Sequence, residues 1–77
     1  MRYEVGDKVK VKSWDKMVAQ YGLDEDGWVD VDGAVSFMPE MKKYCGKTVT
    51  IKEVNKNESY YSIDGDEYSG YSEGMFE

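Results

Sequence analysis

The chain has 77 residues, a formal net charge of −6 at pH 7, one cysteine and no histidine. A chain of this length forms one small domain, buries only about 60% of its unfolded surface and leaves little room for a large cleft. Because histidine is the usual base at neutral pH and a common metal ligand, its absence argues against catalysis and against transition metals. No signal peptide, apolar run of the ~20 residues of a membrane span, or intrachain disulfide is evident, so we expect a cytoplasmic protein without a cofactor.

Alternating valines and lysines predict the first strand within Tyr3–Lys12. Val5, Val9 and Val11 share one face, and Lys8, Lys10 and Lys12 share the other. A period of two with β-branched residues is typical of a half-buried strand, so we expect the valines to face the core. The lysines then lie on the outer face, where they also protect a strand edge from mispairing.

Two stretches have helical spacing. In Ser13–Gly22 the apolar spacing allows a helix of at most about two turns, and this assignment stays open. In Ala34–Tyr44, Ser36 suits an N-cap and Pro39 suits a first turn, which predicts a short helix. We therefore expect one short helix in the long second connection.

Between these stretches, Leu23–Gly33 predicts an acidic loop or hairpin. Asp24–Gly27 has the composition of a turn, Trp28–Val31 alternates like a strand, and Asp32 with Gly33 predicts a second turn. Residues 17–41 hold six acidic and no basic side chains, whereas residues 42–57 hold five basic and one acidic. Part of this block pattern is expected to be neutralised internally when the chain folds.

Residues 47–76 predict a three-stranded antiparallel meander, against which the other elements close. In Lys47–Val54, Val49 and Ile51 share the inner face, and Val54 breaks the phase, which indicates a β-bulge or the end of the strand near Glu53. Asn55–Glu58 predicts a hairpin turn because asparagine tolerates left-handed backbone geometry.

The second and third strands of the meander are predicted at Ser59–Asp64 and Glu67–Ser72. Tyr61 and Ile63 are expected to point inward, with Tyr60 and Ser62 outward. Asp64 to Asp66 predicts a tight turn, since Asp-Gly is a strong hairpin signal. Met75 and Phe76 are expected to close one end of the core.

These pieces resemble the small SH3-like barrel proteins of Gram-positive prophages and mobile elements. The resemblance rests on Val5–Val11, Tyr21 with Gly22, Phe37, Met41, Tyr44, Gly46–Ile51, Tyr61–Asp64 and Glu73–Glu77. It implies a mainly β, five-stranded SH3-like barrel formed by residues 1–77 as a single domain. It also marks residues 23–36 as an acidic insertion longer than the family pattern, and most members of the family have no assigned activity.

The acidic insertion is the first candidate site. Its carboxylates, with Trp28 as a buried anchor, are suited to occupying the basic groove of a nucleic-acid-binding protein, as a mimic of nucleic acid. They are Asp24, Glu25, Asp26, Asp30 and Asp32. The alternative is a solvated acidic loop with Trp28 folded onto the core. Calcium binding is disfavoured, because position 39, where a calcium loop has a bidentate glutamate, is proline.

Outward aromatic residues and lysines form two further candidate surfaces. Trp14, Tyr60 and Tyr68 either line a peptide groove or stiffen a small sheet by cross-strand packing. Lys8, Lys10 and Lys12 are candidates for a nucleic-acid face, which the acidic net charge and the single arginine disfavour. Cys45 has no histidine to activate it, although neighbouring lysines would lower its pKa.

The sequence therefore favours a non-enzymatic protein-binding accessory module of a phage or mobile element, monomeric or weakly dimeric, with a host or phage protein as its partner. Two alternatives remain open. One is an acidic anti-defence inhibitor of a host nuclease, of the anti-CRISPR type, and the other is a nucleic-acid-binding barrel.

Overall fold

The computed structural model describes residues 2–31 and 35–77, without the side chains of Glu67 and Tyr68. The described residues form a mainly β fold with six strands, where five were expected, and one short α-helix. The strands are β1 (Lys8–Lys10), β2 (Val29–Val31), β3 (Val35–Phe37), β4 (Thr48–Asn55), β5 (Tyr60–Ile63) and β6 (Asp66–Tyr71), and the helix α1 is Trp14–Tyr21. Two 3-10 helices cover Pro39–Tyr44 and Glu73–Met75.

A four-stranded antiparallel sheet in the order β1-β4-β5-β6 contains the predicted meander. Val9 on β1 lies opposite Val49 on β4, so their side chains enter the core together. The pairing of β4 with β5 shifts register between Ile51 and Glu53, which confirms the predicted β-bulge. The tight turn after β5 is also confirmed, with Gly65 at φ 95°.

β2 and β3 form a separate antiparallel hairpin, which corrects the predicted helix in Ala34–Tyr44. Val35–Phe37 pairs with β2, and Ser36 lies opposite Asp30 instead of capping a helix. The pairing buries Val29, Val31 and Phe37, so burial against the core decides this segment over its local helical spacing. Helical turns begin only at Pro39, as a 3-10 helix.

The α-helix occupies the first connection, between β1 and β2, and not the second. Ser13 caps it, because the Ser13 hydroxyl oxygen accepts a hydrogen bond from the backbone N–H of Lys16. It ends at Gly22, whose φ of 81° suits a residue without a Cβ. Met17 is its fully buried side chain, so the helix packs by one narrow face.

The core confirms most of the predicted inward positions, including Val9, Val11, Tyr61 and Ile63. Val5 was expected inward but is 66% exposed, because it lies in a turn closed by a hydrogen bond from the Asp7 N–H to the Glu4 carbonyl. Ser62 was expected outward but is buried, since β5 is an inner strand covered by β4 and β6.

The C-terminal residues close the core against β1, as expected for Met75 and Phe76. The Lys12 N–H donates to the Met75 carbonyl, and the Glu77 N–H donates to the Lys10 carbonyl, both at 2.8 Å. Phe76 forms a β-bridge with Val11 and packs against the rings of Tyr3, Tyr61 and Tyr71. Both ends of the described chain are thereby attached to the same sheet.

Glu73 fixes the start of the chain to this closure. Its Oε2 atom accepts hydrogen bonds from the Arg2 backbone N–H at 3.0 Å and from the Tyr61 hydroxyl at 2.7 Å. The Tyr61 hydroxyl oxygen in turn accepts from the Tyr3 N–H at 3.1 Å. The Arg2 N–H and the Tyr61 hydroxyl lower the pKa of the Glu73 carboxyl below its ordinary value, because both stabilise the carboxylate.

Replacing Phe76 with alanine should lower the free energy of unfolding by about 3–5 kcal/mol, because it removes a buried ring from the end of the core. Urea denaturation measures this. Val5→Ala is the control, because Val5 is exposed and its truncation should change stability by less than about 0.5 kcal/mol. Equal losses in the two variants would show that the C-terminal residues do not close the core.

The Glu73 network predicts a specific loss of stability in acid. A carboxyl whose pKa is lower in the folded than in the unfolded state contributes stability above the unfolded pKa, and this contribution disappears as the pH falls through the folded pKa. In Glu73→Gln, the amide oxygen still accepts hydrogen bonds but does not titrate. The midpoint temperature of thermal denaturation, followed from neutral pH to about pH 3, should therefore fall less steeply in this variant than in the wild type. Identical slopes would exclude this role.

Candidate protein-binding surface

We call residues 23–31 together with β3 the acidic hairpin. Its inner side is anchored, because Val29, Val31 and Phe37 are fully buried. Leu23 extends the β-structure by a bridge to Val29. The outer side therefore projects from a fixed base and not from a free loop.

Asp24 organises the turn of the acidic hairpin. One oxygen of its carboxylate accepts hydrogen bonds from the backbone N–H groups of Asp26 and Trp28, both at 2.9 Å. The Asp24 N–H donates to the Trp28 carbonyl at 2.8 Å, and Gly27 adopts a φ of 80°. Asp24, predicted as a contact residue, is thus already occupied within the turn, where it positions its neighbours.

Trp28 is the exposed aromatic residue of the acidic hairpin. Its exposed fraction is 37%, and that of Leu23 is 54%. The sequence left open whether Trp28 folds onto the core. In the structure its backbone is held by hydrogen bonds to Asp24, and its side chain is only partly covered. The exposure of Leu23 was not predicted, because its residue type and position do not distinguish it from a core leucine.

The exposed carboxylates of the acidic hairpin have no ion-pair partner among the described residues. They are Glu25, Asp26 and Asp30. In that part of the chain both ion pairs belong to Glu77, which lies 3.0 Å from the Lys16 ammonium and 3.8 Å from that of Lys10. The internal neutralisation expected from the charge blocks does not reach the hairpin. Asp32, the fifth predicted carboxylate, lies outside the described residues.

The predicted aromatic surface is largely used by the fold. Trp14 is half-buried, with its ring 6.0 Å from that of Phe37 and the Lys42 ammonium 4.2 Å above it. Tyr60 is half-buried over Gly70, where an added Cβ would lie 3.4 Å from the tyrosine side chain. The contact of Tyr60 supports the cross-strand packing alternative, whereas Trp14 lies on α1 and packs against β3 instead of across strands. The side chain of Tyr68 lies outside the described part.

The three lysines of the first strand do not act as one row. Lys8 and Lys10 lie on the outer face of β1, and Lys10 approaches Glu77. The ammonium of Lys12 donates to the side-chain oxygen of Gln20 at 2.9 Å and lies 5.8 Å from the centre of the Tyr21 ring. Lys12 is therefore directed towards α1 and is separated from the predicted basic surface.

Cys45 lacks the environment of a nucleophile. Burial raises the pKa of its thiol, and this effect exceeds the lowering by the Trp14 backbone and by Lys42, so the expected lowering by a neighbouring lysine is present but outweighed. No group of three or more metal-binding side chains is assembled within residues 2–31 and 35–77. In the same residues, no helix has the length and apolar character needed to cross a membrane.

Comparison with known proteins gave no match: no protein-family model fits the chain, and neither a curated protein nor a solved structure is significantly similar to it. The function must therefore be inferred from the chemistry of the chain itself. The acidic hairpin is the surface on which exposed apolar side chains and unpaired charges occur together.

Replacing Asp24 with alanine should loosen the turn that holds Trp28. The two backbone N–H groups lose their acceptor, at a cost of about 1–2 kcal/mol in the free energy of unfolding. Asp24→Asn keeps an acceptor oxygen and is the matched control. Amide hydrogen exchange should accelerate at Asp26 and Trp28 in the alanine variant and change little in the asparagine variant. Unchanged exchange in both would contradict the positioning role.

Proposed function

We propose that this chain is a non-enzymatic protein-binding module that contacts its partner through the acidic hairpin. The observation that carries the proposal is Trp28, a partly exposed tryptophan in a turn held by Asp24. Tryptophan is enriched among residues that dominate binding energy, because it buries a large area with little loss of conformational freedom. Leu23 adds a second exposed apolar side chain to the same hairpin.

The partner that fits this surface is a protein with a basic patch. Glu25, Asp26 and Asp30 are exposed and have no cation beside them among the described residues. Carboxylates in this state have no described ion pair to break when a partner's lysines or arginines approach, and they accelerate encounter by charge steering. The nucleic-acid-binding groove of a host nuclease has this chemistry, so inhibition of such a nuclease is the sharper form of the proposal.

The fold type belongs to the same proposal: a small SH3-like barrel of a phage or mobile-element accessory protein. It is supported by the meander β4-β5-β6, the 3-10 helix Glu73–Met75 and the return of Phe76 to Val11 beside β1. In that order of elements, the acidic hairpin lies in the long connection that precedes the meander. A surface in such a connection can vary while the barrel stays constant.

Replacing Trp28 with alanine should weaken partner binding by about 30-fold or more, the effect of losing an interface residue worth at least about 2 kcal/mol. The partner is first isolated from a Gram-positive host lysate on immobilised wild-type protein. Its affinity for each purified variant is then measured by calorimetry.

Two charge variants of equal net charge complete this experiment. Asp26→Asn with Asp30→Asn removes charge from the hairpin, whereas Glu53→Gln with Glu58→Gln removes it from the β4–β5 hairpin. Only the first should slow association and, for a nuclease partner, relieve inhibition. Equal binding by the wild type, Trp28→Ala and the first charge variant would exclude the acidic hairpin as the contact surface.

A further inference from the structure

The outer face of β1 and β4 carries a compact group of basic and hydroxyl side chains. Lys8 lies opposite Thr50, and Lys10 lies opposite Thr48. The valines and isoleucine between them, Val9, Val49 and Ile51, are buried, so these lysines and threonines point away from the core. We call these four residues the lysine face; within it, the Lys10 ammonium lies 3.8 Å from a carboxylate oxygen of Glu77.

The lysine face and the acidic hairpin point away from one shared core in different directions. Val9 on β1 and Val29 on β2 belong to the same buried cluster. Lys8 and Lys10 flank Val9, and Asp30 lies between Val29 and Val31, so each charged group occupies the outer side of its own strand. Among the described residues, no ion pair joins Lys8 or Lys10 to Glu25, Asp26 or Asp30, so these opposite charges are not paired within one molecule.

We propose that the lysine face binds the acidic hairpin of a second copy of this chain. Lysines and threonines on a strand face supply donors for carboxylates, and the hairpin supplies Glu25, Asp26 and Asp30 without ion pairs among the described residues. After such a contact, one copy still presents its acidic hairpin and the other still presents its lysine face. The association is thus head-to-tail, and it extends in a row unless its rotation closes a ring.

A second copy fits the lysine face better than nucleic acid does. The chain has a net charge of −6, which repels a polyanion, and it has Arg2 as its single arginine. Lys12 points towards α1 and does not extend the face into a longer basic track. Two copies also repel each other at long range, but at physiological salt charges beyond about 8 Å are screened, and the local contact decides.

Sedimentation equilibrium tests the proposal through a charge exchange between two variants. In the lysine-face variant, Lys8→Glu with Lys10→Glu, the face repels the hairpin of another copy. In the hairpin variant, Asp26→Lys with Asp30→Lys, the hairpin repels the lysine face. The wild type should self-associate at about 0.1 M salt and become monomeric at about 1 M, where charges are screened beyond about 3 Å.

Each variant alone should bind itself at least about tenfold more weakly than the wild type does, because like charges then meet. An equimolar mixture of the two should associate again, since each contact in an alternating row pairs opposite charges. The control is Glu53→Lys with Glu58→Lys, which has the same net charge as the hairpin variant but keeps both the hairpin and the lysine face. By itself, this control should still self-associate about as strongly as the wild type.

A wild type that stays monomeric at 0.1 M salt and at about millimolar concentration overturns the proposal, and so does a control that loses self-association as fully as the hairpin variant does. A gel shift with single- and double-stranded oligonucleotides accompanies these measurements. Loss of a wild-type shift in the lysine-face variant, without self-association, would assign the face to nucleic acid. The lysine-face variant keeps the acidic hairpin intact, so its binding of the partner protein separates failure of this proposal from failure of the proposed function.

Discussion

A continuous line of packed aromatic rings joins the layers of this small domain. Trp14 contacts Phe37, Phe37 contacts Tyr71, and Tyr71 stacks on Phe76, with ring centres 6.0–6.2 Å apart. Tyr3 continues the line at 5.7 Å from Phe76. The line joins α1, the acidic hairpin, the meander and both ends of the described chain. Each such pair adds about 0.5–1.5 kcal/mol beyond its burial, which is a large contribution in a chain this short.

The rigidity of the acidic hairpin follows from this line of rings. Phe37 on β3 packs between Trp14 and Tyr71, so the hairpin cannot move without disturbing the core. Its outer side carries no comparable contacts. Asp24 fixes the backbone around Trp28 by hydrogen bonds, which leaves the ring partly exposed in a defined position. A binding surface gains from this arrangement, because ordering costs are met on folding and not on binding.

Carboxylates in different parts of the chain have different partners. Glu77 takes part in both ion pairs that the structure describes, and the Glu73 carboxylate holds Arg2 and Tyr61. Carboxylates near the C-terminus therefore stabilise the fold, whereas Glu25, Asp26 and Asp30 of the acidic hairpin are exposed to solvent. Groups of one chemical type thus serve different purposes, according to whether donors of the same chain can reach them.

The sequence by itself determined the meander, because features spanning a few residues define it. Alternation placed Val49, Ile51, Tyr61 and Ile63 inward, and the broken phase near Glu53 placed the β-bulge. These signals are local, so they survive without knowledge of the partner strands. The alternation of Val9 with Lys8 and Lys10 was equally informative. The prediction that Val5 faces the core was wrong, because a turn interrupts the same pattern.

Only the tertiary structure decided the form of the acidic hairpin. Val35–Phe37 lies in a segment whose apolar spacing is helical, but it pairs with β2. Burial of Phe37 among the aromatic rings outweighs the local helix propensity. The sequence placed Asp24 in a turn and named Trp28 as an anchor, but it could not show that the Asp24 carboxylate accepts hydrogen bonds within the turn while Trp28 stays partly exposed. That division depends on which backbone N–H groups a carboxylate can reach and on how much of a ring the core covers. Both are determined only when the chain has folded.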